Sequence, residues 1–232
     1  MKQALLTVAA ALALSFAAGS ASAATFAVVG DSEIIDFNGI VEGVVDPDLD
    51  ADLVLTLTGI SGNDFVFSYS LTNNSSGDDL GARLTAFGFN VDPNFSTASV
   101  SGDFTTWSSG NVPGGLPNVE FCATSGSNCS GGGGGGVGVG DTFSGSLTLT
   151  FGAPQTSIDL TDFYVRYQTL GADGEGSGVG VGTPCPELGG DCGGGGGNEI
   201  PEPSTWALMI LGFGGAGAML RRNRRTLVKV AA

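Results

Sequence analysis

The sequence contains no histidine, and between Asp31 and Glu202 it has no lysine and two arginines, Arg83 and Arg166. Without an imidazole, a Ser-His-Asp or Cys-His catalytic set cannot be built, and no Gly-x-Ser-x-Gly elbow is present. A zinc site of the His-containing kinds is excluded on the same ground. All 23 acidic residues fall in that interval, giving it a formal charge of −21 against the two arginines. Such a surface repels phosphate backbones, so nucleic acid is excluded as a partner. Helical periodicity is missing outside the two termini, and the apolar runs lie only there. These absences argue against an enzyme and leave an exported structural or binding protein.

The N-terminal run has the parts of a secretory signal peptide. Lys2 supplies the positive start, Ala4–Ala18 the apolar core, and Ala21-Ser22-Ala23 the small-residue site. Cleavage is expected between Ala23 and Ala24, which removes residues 1–23 through the Sec machinery and signal peptidase. An uncleaved anchor is the other reading.

The C-terminal run is the most specific part of the chain. Pro201-Glu202-Pro203 precedes Trp206-Ala207, an uncharged segment runs to Leu220, and Arg221, Arg222, Arg224 and Arg225 close it. A helix over residues 206–220 would span roughly 22 Å, against about 30 Å of hydrocarbon, which is short for permanent residence. Trp206 suits the membrane interface, and the arginine cluster suits the cytoplasmic side. Residues 226–232 then form a cytoplasmic tail. Gly212, Gly214 and Gly217 make a GxGxxG string, but no βαβ unit surrounds it, so a small-residue helix face is the better reading.

This composite resembles the PEP-CTERM sorting signal of Gram-negative bacteria, in its PEPxxWA variant. The carrying residues are Pro201, Glu202, Pro203, Trp206, Ala207, Gly212, Phe213, Gly214 and the arginines from Arg221. The resemblance implies transient membrane anchoring, cleavage by an exosortase, and delivery to the cell surface or the medium. An exopolysaccharide matrix is the expected workplace. More loosely, Phe87-Gly88-Phe89-Asn90-Val91-Asp92-Pro93 and Phe163–Gln168 resemble the cistern subset of PEP-CTERM proteins.

Between Ala24 and about Leu170 the hydrophobic period is two. Leu53, Leu55 and Leu57 alternate with Val54 and Thr56, and Phe65, Phe67, Tyr69 and Leu71 with Val66, Ser68 and Ser70. Phe87, Phe89 and Val91, then Leu147, Leu149 and Phe151, then Phe163, Val165 and Tyr167 continue the pattern. The expectation is an all-β domain over residues 24–170, an antiparallel β-sandwich of jelly-roll or Ig-like type with eight to ten strands. A Gly-rich loop near 130–140 would interrupt it. Residues 171–200, dominated by glycine, read as a flexible linker carrying a cysteine loop.

Four cysteines stand as Cys122-x6-Cys129 and Cys185-x6-Cys192, each pair trailed by glycines. Pairing within each loop is the simplest of three connectivities, and pairing between loops is the rival. Asp46, Asp48, Asp50 and Asp52 recur at alternate positions, like half of a calcium loop without its glycine or closing glutamate. Calcium ligation and a solvated acidic lead-in both fit; no other cofactor is expected. Asp78-Asp79 and Asp173/Glu175 are the carboxylate pairs available for acid–base work. Trp107, Phe104, Tyr164 and Tyr167 could line a sugar-binding face or fill the core. Asn73 and Asn74 read as a surface turn.

Overall fold

A computed structural model describes residues 23–185, apart from 80, 132–134, 172–173 and 175. The chain divides into two compact units, 1–194 and 195–232, and every described residue belongs to the first. Its described residues build one continuous twelve-stranded antiparallel sheet. Its strands are β1 (Ala24–Phe26), β2 (Ser32–Val41), β3 (Val44–Ser61), β4 (Asp64–Asn73), β5 (Arg83–Asp92), β6 (Thr97–Gly102), β7 (Thr106–Gly110), β8 (Val119–Thr124), β9 (Val137–Gly138), β10 (Thr142–Thr150), β11 (Ile158–Leu170) and β12 (Gly176–Cys185).

The order along the sheet is β6-β10-β4-β3-β2-β12-β11-β5-β8-β7, with β1 beside β11 and β9 beside β5. Side chains from strands far apart in that order nevertheless touch. Phe67 of β4 meets Phe26 of β1 edge-on at 5.0 Å, and Tyr69 of β4 lies 5.2 Å from Phe87 of β5. The sheet therefore folds over on itself, as a sandwich approaching a barrel. The inward residues are the alternating sets read from the sequence: Leu53, Leu55, Leu57, Phe65, Phe67 and Leu149 are fully buried. Each such side chain contributes roughly 1.5–3 kcal/mol by leaving water.

Phe104, between β6 and β7, is buried in the main core. It packs 5.6 Å from Phe87 and 5.5 Å from Phe143, and its amide donates to the Tyr69 hydroxyl at 3.1 Å. A second, smaller core lies on the outer side of β5, β8 and β11. There Val112, Val119, Tyr164 and Val179 pack around the Cys122–Cys129 disulfide. Residues 111–131 thus cover β5, which explains why Leu84 through Phe89 are buried on both faces.

Three expectations require correction. The linker assigned from residue 171 gives way to β12 over 176–185, which joins β2 to β11 inside the sheet. Its glycines fit because bulky neighbours already fill the interior. A Cβ on Gly182 would stand 2.5 Å from Ile35 and from Phe37, and 2.7 Å from Phe163. The described residues hold twelve strands rather than eight to ten. Asn73, expected in a surface turn, is buried. Its Nδ2 donates to the carbonyls of Ala82 and Val137, each at 3.0 Å, while its Oδ1 accepts from Ser75 N. The expected signal helix and the helix over 206–220 lie outside the described residues.

Candidate functional site

Of the four aromatics considered for a sugar face, Trp107 is the one that the fold leaves partly exposed. It sits on edge strand β7, opposite Ala123 of β8, and is half-buried. Its ring stacks at 10° and 6.3 Å on Phe121, which in turn stacks on Phe89 at 4.9 Å. Phe95, from the β5–β6 turn, meets it edge-on at 6.0 Å. The indole is thus held from behind by the core and stands beside an open pocket of about 390 Å³. Asn94, Phe95, Ser109 and Glu120 line that pocket with Trp107.

Glu120 is fixed in place. Its carboxylate accepts from Val91 N at 2.9 Å and from Asn94 Nδ2 at 2.5 Å, while its own amide donates to Asn90 Oδ1 at 2.9 Å. A rigid aromatic platform with an oriented carboxylate and a neighbouring amide suits a ring that has an apolar face and hydroxyl edges. Glu120 is the one carboxylate among the lining residues. A two-carboxylate hydrolytic arrangement would need a partner roughly 5–9.5 Å away.

The other aromatics proposed for a sugar face are core residues. Phe104, Tyr164 and Tyr167 are all fully buried. Tyr164 donates its hydroxyl to Cys129 O at 3.1 Å, and burial pushes its pKa up. The Tyr167 hydroxyl is buried with no hydrogen-bond partner among the described residues, and burial raises its pKa well above the ordinary 10.

Asp46, Asp48, Asp50 and Asp52 lie on β3 without converging. Asn38 pairs with Asp50 while Gly39 pairs with Asp46, so residues 47–49 bulge out and Leu49 turns in against Gly39. Asp52 accepts from Asn74 Nδ2 at 2.8 Å, and Asp46 accepts from Asp48 N at 3.1 Å. Among the described residues no group of three or more His, Cys, Asp or Glu side chains is arranged to hold a metal ion. What the register brings together is Asp36, directly opposite Asp52, with Asp50 nearby. Burial and then the neighbouring carboxylates raise the pKa of Asp36, and burial and then Asp52 raise that of Asp50.

Cys122 and Cys129 are bonded, with Cα atoms 5.8 Å apart. Cys185 is not a free thiol; Cys192 lies outside the described residues. Asp79 serves structure: it is buried and accepts from Gly171 N at 3.1 Å. The side chains of Asp78, Asp173 and Glu175 lie outside the described set, as does Ala21. Ala24, the expected new N-terminus, opens β1 and is buried.

Sequence reasoning missed Phe95, Asn94 and Glu120. They gather at Trp107 only through the pairing of β7 with β8 and the turn after β5. The usable signal was Asn94-Phe95, an aromatic in a turn rather than in an alternating run. The sorting residues Pro201 to Arg225 lie outside the described set, but the comparisons bear on them. No curated protein and no solved structure matches the chain. Residues 199–225 match the family model of the PEP-CTERM protein-sorting motif. The chain therefore carries a PEP-CTERM sorting signal, which implies processing by an exosortase, export, and a transient hold in the membrane before release.

Proposed function

We propose that the β-sandwich is a non-enzymatic structural or adhesive protein of a Gram-negative cell surface and its exopolysaccharide matrix. In this reading it holds a neutral sugar ring on Trp107 and needs no cofactor. The observation that carries the reading is the indole braced by Phe121 beside a pocket that also presents an anchored Glu120 and Asn94. The sorting motif supports it, since such a signal implies export. The surface charge adds to it, since an acidic body is kept off anionic lipid and stays dispersed in a hydrated matrix.

Affinity electrophoresis through gels containing neutral exopolysaccharide tests the reading. The domain should be retarded, and Trp107→Ala should weaken retention about tenfold, or roughly 1.4 kcal/mol. Equal mobility of the two proteins would remove Trp107 from the function.

A further inference from the structure

Arg166 has an environment unusual for so acidic a chain. It projects from β11 and is half-buried, and among the described residues its guanidinium is held by backbone alone. Nε donates to Ser130 O at 3.0 Å and Nη1 to Gly178 O at 2.9 Å. Those two bonds use two of the five N–H groups that a guanidinium carries. Burial lowers its pKa, and no described carboxylate comes close enough to offset that cost. With 23 acids in the sequence, an unneutralised half-buried arginine is the exception that asks for a partner.

The side chain opens onto a pocket of about 350 Å³ on the outer side of β12. Ile40, Pro113, Gly114 and Val179 make its apolar wall, and Glu42 stands at its rim. Two backbone features shape it. Gly114 takes a φ of +81° and sits against Val179, where a Cβ would come within 2.9 Å. The Cys122–Cys129 link sets the loop that carries Ser130, and Gly131 leaves room for the Arg166 stem. The guanidinium is therefore aimed before any ligand arrives, and a planar fork of this kind matches a carboxylate.

We propose that Arg166 marks a second binding pocket, which takes the carboxylate of an acidic sugar residue. The carboxylate follows from the unneutralised fork and the small apolar-walled pocket. The sugar as its source rests on the matrix reading above. Glu42 at the rim acts as a selector, weakening a ligand with a second, outward-facing negative charge. The site is separate from Trp107, which lines a different pocket.

Calorimetric titration at 150 mM NaCl with a galacturonate trimer, its methyl ester and acetate tests this. The acid trimer should bind, with the ester at least tenfold weaker. Glu42→Gln, an exposed position, should tighten the acid several-fold and leave the ester unchanged. Ser177→Trp, also exposed, should abolish binding by filling the pocket, and Trp107→Ala should leave it intact. Arg166→Lys should lose at least tenfold; should that variant fail to fold, Ser177→Trp and Glu42→Gln decide the matter. Equal binding of acid and ester, or binding that survives Ser177→Trp, would overturn the site. Binding of acetate without the trimer would overturn the acidic sugar as its source.

Discussion

At the scale of single residues, polarity and position disagree in instructive ways. Asn73 looks like turn chemistry in the sequence, yet it stitches the 82 and 137 carbonyls inside the domain. Local pattern does not reveal this, because one partner, Val137, lies 64 residues along the chain. The Asp36, Asp50 and Asp52 group arises the same way, from register rather than from spacing along β3. Its energetics have a definite sign. The folded-state pKa values of Asp36 and Asp50 lie above the ordinary aspartate value of 3.8, so the folded state binds protons more tightly than the unfolded chain. These groups oppose folding when ionised. Stability should rise as pH falls from the raised values toward 3.8. Asp36→Asn should raise Tm at pH 7 and flatten that rise, as a thermal melt across pH 4–7 would record. A variant with unchanged Tm and slope would show the cluster to be fully screened.

At the scale of elements, alternation of large apolar residues made most strands legible. β3, β4, β5, β10 and β11 stand where Leu, Phe and Tyr recur at every second position. β12 was hidden because its inward positions are glycine, which carries no hydrophobic signal. The period of two is nonetheless present, in Gly178, Gly180 and Gly182 with Val179 and Val181 between them. These inward glycines accept side chains projecting from β2 and β11 at a crowded bend. Gly182→Val should therefore cost about 1–3 kcal/mol by overpacking. For a domain of this size each kcal/mol lowers Tm by roughly 2–4 °C, which calorimetry resolves. A neutral result would mean that β12 is not held tightly. The pocket at Trp107 was less legible than the strands. Its lining comes from a turn, an edge strand and a neighbouring strand, and only their pairing assembles it.

At the scale of the whole molecule, charge is the dominant fact. Between Asp31 and Glu202, 23 acids set against two arginines leave a formal −21, which makes the body repel itself. Salt relieves this, since the screening length falls from about 30 Å at 0.01 M to about 8 Å at 0.15 M. Tm should rise between those conditions, and a scan in NaCl would show it; a flat or falling curve would mean that local ion pairs outweigh the repulsion. Aromatic packing between the two halves of the folded sheet must hold against that field, and the Phe67, Phe87 and Phe104 contacts provide it.

The place of β12 in the sheet also governs timing. It is the last described strand in the chain, yet it is the seam between the β2 side and the β11 side. A chain delivered N-terminal end first presents eleven strands that can pair only as two unconnected groups, until residues 176–185 arrive to unite them. By then the sorting segment, which begins at residue 199, is close behind. The sheet therefore cannot close until the residues just ahead of the sorting segment have been delivered.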